Sequence, residues 1–70
     1  MTIFFLVAYD ISSPKRLRKV AKLMELYGTR VQRSVFECQL SENMLLVLIY
    51  QLKAIIKPRR DRVSVRRRRH

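Results

Sequence analysis

The sequence predicts a single α+β domain in which two helices cover one face of a four-stranded antiparallel sheet, in the order β1α1β2β3α2β4. Three observations lead to this prediction. Seventy residues suffice for one domain at most. Two segments place apolar residues at helical spacing, and the segments around them favour strand. The single cysteine, Cys38, excludes an internal disulfide, which argues against a small disulfide-linked secreted fold.

The first predicted element is a strand over Ile3–Tyr9. This run is nearly all apolar, contains aromatic and β-branched residues, and is too short for a typical helix. Such a run is typical of a central strand that is covered on both faces. Asp10 follows directly and no basic segment precedes the run, so we interpret it as a strand rather than a signal peptide and expect a cytoplasmic protein.

A helix is predicted from Pro14 to the residue before Gly28. Ser12 or Ser13 can cap the first free N–H groups, and proline fits the first helical position. The glycine is well placed to end the helix. One apolar stripe recurs at three- and four-residue spacing: Leu17, Val20, Ala21, Met24 and Tyr27.

The remaining strands are predicted in two stretches, Thr29–Leu40 and Arg62–Arg66. The first stretch fits one bent strand or two short ones, and we prefer two strands that break near Arg33 and Ser34. The second alternates apolar and polar residues, as a strand with one buried face does. We place the domain at residues 1–66 and expect residues 67–70 to form a disordered basic tail.

A second helix is predicted between Ser41 and Pro58. Ser41 can act as the N-cap, and Glu42 lies in the first turn, where the helix dipole favours a negative charge. Proline ends the helix. The outer surface of this helix is also rich in leucine and valine. Its inner stripe comprises Leu45, Leu48, Ile49, Leu52, Ile55 and Ile56.

The element order is the split βαβ pattern of ferredoxin-like folds, with both helices on one face of the sheet. The other sheet face is then uncovered. A chain of this size buries only a thin core, so pairing of two such faces is a natural way to cover them.

The charge of the chain predicts a polyanionic partner. The formal net charge is +11, of which residues 57–70 contribute +7. DNA, RNA and an anionic membrane surface all fit this charge. Lys15, Arg16, Arg18, Lys19 and Lys22 crowd the first helix, and no acidic residue interrupts them before Glu25, which favours phosphate contact over a merely solvated face.

Asp10 is the sharpest chemical candidate. A carboxylate at a strand end can hold Mg²⁺ with water in the remaining positions, although such a residue is more often a turn or helix-cap residue. Phe36 fits base stacking or core packing. Cys38 fits the core, and Glu37 fits a solvated strand position. The sequence offers neither the ligands of a zinc site nor a glycine-rich phosphate loop.

Taken together, these residues resemble the small CRISPR-associated endonuclease family of the spacer-acquisition machinery. Residues 9–11 (YDI) end the first strand in the family manner. Residues 15–23 form the basic start of the helix and its continuation, and GTRVQ at 28–32 leads into SVFEC at 34–38. The resemblance covers roughly residues 2–66. It rests on the ordered combination of these segments rather than on one motif.

The resemblance implies a homodimer with a divalent-metal site, Mg²⁺ in our assignment, formed by Asp10 of each subunit. Asp10 is then the catalytic residue of an RNA or DNA endonuclease. It also implies a scaffold that grips DNA together with the CRISPR integrase. The resemblance places Arg16, Arg18, Arg30 and Phe36 near the site, and we add Lys15 and Lys19 from their charge to complete the predicted nucleic-acid-binding set.

The chain departs from the family pattern at its end. Family members usually continue past the fourth strand into a segment that contains proline and packs on the partner subunit, whereas this sequence ends VRRRRH at 65–70. The family interpretation does not involve a membrane partner. Two alternatives to it remain open. The first is a basic amphipathic protein on a membrane surface. The second is an inactive, truncated family remnant.

Overall fold

The computed structural model describes residues 1–68 and confirms the predicted α+β class and element order. The sheet order is β2-β3-β1-β4, and every neighbouring pair of strands is antiparallel. The elements are β1 (Ile3–Asp10), α1 (Pro14–Tyr27), β2 (Gly28–Gln32), β3 (Val35–Leu40), α2 (Glu42–Ile55) and β4 (Arg62–Arg67).

The core lies between the helices and one face of the sheet. Side chains alternate between the two faces of a strand, and Phe5, Val7 and Tyr9 of β1 are buried while the residues between them are only partly buried. The apolar stripes of α1 and α2 pack on this buried face, as predicted from their spacing. The core residues are Phe5, Val7, Tyr9, Ile11, Val20, Met24, Phe36, Cys38, Leu40, Leu48 and Leu52.

Both helices begin as the sequence predicts. The Ser13 hydroxyl accepts a hydrogen bond from the Arg16 N–H at 3.3 Å, and the Ser41 hydroxyl accepts one from the Met44 N–H at 3.2 Å. The break near Arg33 is also confirmed, because β2 and β3 flank a two-residue turn there. Helix α2 ends at Ile55, before the proline that was expected to end it.

Helix α1 ends at Tyr27 with Gly28 as its C-cap, as predicted, but glycine is required there for another reason. The backbone at this residue is extended, with φ −162°, and β2 begins here directly after α1. A side chain would meet the Cys38 sulfur at 2.6 Å and would lie closer still to the Glu37 carbonyl oxygen. Glycine is therefore needed because β2 and β3 approach closely and not because the helix requires a left-handed cap.

The predicted boundary between the domain and a basic tail is wrong by at least one residue. Arg67 belongs to β4 and pairs with Phe5 of β1, and the N–H of Arg68 donates to the Phe4 carbonyl at 2.8 Å. The strand continues because β1 offers backbone partners at this level. Arg69 and His70, the rest of the predicted tail, lie outside the described residues.

The second face of the sheet has no helix on it. Phe4, Leu6 and Ala8 of β1 point to this face, which we call the open face, and each is partly exposed. Arg68 covers part of it, because its guanidinium lies 5.9 Å from the centre of the Phe4 ring and pairs with Glu37. Within the described part of the chain, neither helix combines the length and apolar character needed to cross a bilayer.

Candidate functional site

Asp10 ends β1 with its side chain exposed, at the end of the sheet where two surface clefts meet. We call the first the α1 cleft; it has a volume of about 340 Å³, and Arg18, Arg30 and Arg33 line it together with Asp10. The second, the β4 cleft, has a volume of about 620 Å³, and Asp10 shares it with the segment that leads into β4. The fold thus brings basic segments far apart in sequence to one carboxylate.

Arg30 is held in place at the α1 cleft. Its guanidinium lies 5.0 Å from the centre of the Phe36 ring, and it donates a hydrogen bond to the Arg33 carbonyl at 2.8 Å. Glu25 lies 3.7 Å away, and both partners of this pair are substantially exposed, so the attraction is weak. A cation held in this way loses little side-chain entropy when it binds a phosphate.

The prediction that Phe36 contacts nucleic acid is wrong for this fold. Its side chain is fully buried, and its ring stacks on Tyr9 with 6.2 Å between the ring centres. Burial also raises the pKa of the Tyr9 hydroxyl. Phe36 therefore acts on the site indirectly, as the surface on which Arg30 lies.

Arg16 is bound within the protein, which the sequence did not predict. Its Nε donates to Oδ2 of Asp61 at 2.7 Å and its terminal nitrogen donates to Oδ1 at 3.0 Å, a bidentate pair. The side chain of Asp61 is completely buried and that of Arg16 is 17% exposed. The pair explains why Arg16 is partly buried on an otherwise solvated stretch of α1, and it withdraws Arg16 from the set of freely available cations.

Asp61 also joins two loops at this end of the sheet. Its carboxylate accepts from the N–H and hydroxyl of Ser12, at 3.0 and 3.2 Å, and from the N–H of Lys57, at 2.8 Å. The hydrogen bonds from Arg16, aided by those from Lys57 and Ser12, hold the pKa of Asp61 well below its usual range despite its burial. Because Ser12 lies two residues after Asp10, the network fixes the loop that follows Asp10.

No local pattern in the sequence indicated this role for Asp61. Its side-chain partners Arg16 and Ser12 lie 45 and 49 residues away in the chain, and a lone acid among arginines is ordinarily solvated. The one available signal was an acidic residue between the end of a helix and the start of a strand, in a segment otherwise composed of cations.

The other predicted contact residues remain available at the surface. Lys15, Arg18 and Lys19 are exposed on the first turns of α1, and no ion pair involves them within residues 1–68. Arg18 and Lys19 follow Lys15 by three and four residues, so the three side chains lie on one face of the helix. Arg18 extends this face to Asp10 through the α1 cleft.

A metal site is not complete within one copy of the described chain. No group of three or more histidine, cysteine, aspartate or glutamate residues converges among residues 1–68. Asp10 forms no ion pair there and offers one free carboxylate. Mg²⁺ commonly binds through one or two carboxylates together with water and phosphate oxygens, so this donor set fits that ion.

Comparison with known protein families identifies the family of this chain. The model of the family described as CRISPR associated protein Cas2 matches residues 1–69. The chain belongs to the Cas2 family. Among curated relatives, an endoribonuclease Cas2 of Rhodospirillum rubrum is 41% identical over 61 residues, which cover 87% of this chain and 49% of the relative. The family predicted from the sequence is confirmed.

Solved structures give the same result. Cas2 of Streptococcus pyogenes matches 91% of this chain and 83% of its own with a TM-score of 0.85 and 39% identity. A chain of a partial Cas6–RT–Cas1–Cas2 complex matches with a TM-score of 0.75 and 31% identity, covering 93% of this chain and 78% of its own. The chain spans 49–73% of the length of the curated Cas2 relatives that it matches.

Proposed function

We propose that two copies of this chain form a DNA-binding scaffold of CRISPR spacer acquisition and act together with the Cas1 integrase. The observation that carries the proposal is the convergence of exposed cations around Asp10, from α1, from β2 and its turn, and from the start of β4. Phosphates are the natural ligands of such a surface. A structural relative found in a complex with Cas1 supports the proposed protein partner.

The open face supports the proposed dimer. It carries Phe4, Leu6 and Ala8 without a helix above them. Two copies that pair through these faces would bury apolar surface that neither helix of the described chain covers. They would also bring together two copies of the sheet end that holds Asp10.

Mg²⁺ is the proposed cofactor, with Asp10 of each copy as its protein ligand. When bound, it would supply charge neutralisation at a phosphate and a water of lowered pKa. The chain itself contributes an exposed carboxylate, a loop after Asp10 that Asp61 holds fixed, and the arginines of the α1 cleft that can orient a phosphate.

Binding of a duplex by the α1 cleft tests the proposed function. We expect Arg18→Ala to weaken duplex DNA binding about tenfold at low salt, because each charge-assisted phosphate contact contributes on the order of 1–2 kcal/mol. Fluorescence anisotropy with a labelled duplex measures this. Asp10→Asn is the control, since removing a negative charge from the same cleft should leave binding equal or stronger. No binding by the unmodified chain at low salt would contradict the proposal.

A metal-dependent endonuclease is the second candidate function, and the endoribonuclease name of the R. rubrum relative favours it. We expect Mg²⁺-dependent cleavage of RNA or DNA that Asp10→Asn abolishes while the melting temperature stays unchanged, because Asp10 is exposed and forms no ion pair within residues 1–68. A gel assay with end-labelled substrate measures cleavage. Activity that survives in Asp10→Asn would exclude Asp10 as the metal ligand for this reaction.

A further inference from the structure

The turn between α2 and β4 is strongly basic and lies outside the α1 cleft. We call residues 57–62, the turn and the first residue of β4, the basic turn; its four cations, Lys57, Arg59, Arg60 and Arg62, are all exposed. None of the four takes part in an ion pair within the described chain. The one acid in the turn, Asp61, directs its charge inward to Arg16, so it does not neutralise the exposed cations.

The backbone of the basic turn is fixed before any ligand arrives. The Lys57 carbonyl accepts from the N–H groups of Arg60 and Asp61, at 2.9 and 2.8 Å. The Asp61 carboxylate closes the turn in return by accepting from the Lys57 N–H at 2.8 Å. Pro58 further restricts the backbone. A turn braced from inside keeps its backbone in place, so binding costs only the ordering of the exposed side chains.

The position of the basic turn relates it to the proposed site. Pro58, Asp61 and Arg62 line the β4 cleft together with Asp10. The arginines of the α1 cleft lie on the other side of the same Asp10. A nucleic-acid backbone that passes Asp10 therefore meets cations on both sides of it.

We propose that the basic turn is a second phosphate-binding segment, which holds the backbone of the same nucleic acid on the β4 side of Asp10. This inference rests on the proposed function and extends it to residues outside the α1 cleft. The ligand is the phosphodiester backbone of a duplex. The cations are exposed and spread along the turn, an arrangement suited to a charged strand rather than to one enclosed small anion.

The salt dependence of duplex binding tests the proposal with the variant Arg59→Ala/Arg60→Ala. Neither arginine contributes to the buried core or to a side-chain hydrogen bond within residues 1–68, so the variant should fold as the unmodified chain does. The matched control is Lys53→Glu, which lowers the net charge by the same two units at an exposed position of α2 outside both clefts. Circular dichroism and melting temperature confirm folding of both variants.

Dissociation constants for a mixed-sequence duplex are measured across a range of salt concentration. Each lost phosphate contact reduces the slope of log K against log salt by about 0.9, so the turn variant should lose roughly 1.8 and the control much less. Equal slopes for the turn variant and the control would overturn the proposal while the proposed function stands. A failure of the unmodified chain to bind would overturn both. If the turn contacts phosphate, Arg59→Glu/Arg60→Glu should weaken binding more than the alanine variant does.

Discussion

At the scale of single residues, two aspartates at one end of the sheet have opposite surroundings. Asp10 is exposed and forms no ion pair within residues 1–68, whereas the side chain of Asp61 is buried and accepts five hydrogen bonds. A buried carboxylate needs such partners because water no longer solvates it. Asp61 therefore serves the structure, and Asp10 is left available for a ligand.

The pH dependence of stability follows from the Asp61 network. The folded state holds the pKa of Asp61 below that of the unfolded chain, about 3.9. Its stabilisation is therefore complete above that pH and is lost as acid protonates the folded carboxylate. We expect Asp61→Asn to lower the melting temperature at pH 7 by more than about 5 °C, which for a domain of this size corresponds to roughly 1 kcal/mol.

The difference between Asp61→Asn and the unmodified chain should narrow below pH 4, and thermal denaturation followed by circular dichroism at several pH values measures it. Asp10→Asn provides the control, because it removes an exposed carboxylate and should leave the melting temperature unchanged. An Asp61→Asn variant as stable as the unmodified chain at pH 7 would show that the buried pair contributes nothing net.

At the scale of elements, the strands and helices follow from local patterns in the sequence. The spacing of Val20 and Met24 predicted the buried face of α1, and serine at the N-cap predicted both helix starts, with Pro14 as a second signal for α1. What local patterns could not supply is contact between distant segments. The pairing of Arg16 with Asp61, the close approach at Gly28 and the burial of Phe36 all depend on how the strands come together.

The candidate site shows the same division. Asp10, Arg18 and Arg30 were predicted from the sequence and its resemblance to the family, and the fold places all three on one cleft. The charge of residues 57–70 predicted a polyanionic partner, but not the position of residues 57–62, because only the sheet topology brings their turn beside Asp10. Charge alone had directed attention to the C-terminal arginines, of which Arg68 lies at the far end of β4 in an ion pair with Glu37.

The open face of the sheet gives a prediction at the same scale. If two copies pair through it, Leu6→Gln should raise the dimer dissociation constant at least about tenfold, because each copy loses apolar burial worth roughly 1.5–3 kcal/mol. Light scattering during size-exclusion chromatography, over a range of protein concentration, measures it. Leu46→Gln is the matched control, since Leu46 is 63% exposed on the outer surface of α2. Equal effects of the two substitutions would place the dimer interface elsewhere.

At the scale of the whole molecule, the Asp10 end of the sheet and the outer surface of α2 differ sharply in charge. The end of the sheet around Asp10 collects exposed cations from α1, the β2–β3 turn and the basic turn. The outer surface of α2 is nearly uncharged, with Leu46, Val47 and Tyr50 exposed on it. A polyanion should therefore bind at the Asp10 end, and its attraction should weaken as salt rises.

The mass of the complex with a duplex DNA tests the central claim most directly, since the claim joins dimerisation and DNA binding in one unit. Light scattering at moderate salt, with a duplex of about 30 base pairs, gives the number of chains bound per duplex. We predict two chains per duplex at saturation, and a dimer when DNA is absent. One chain per duplex, or a monomer that binds no DNA under these conditions, would contradict the account.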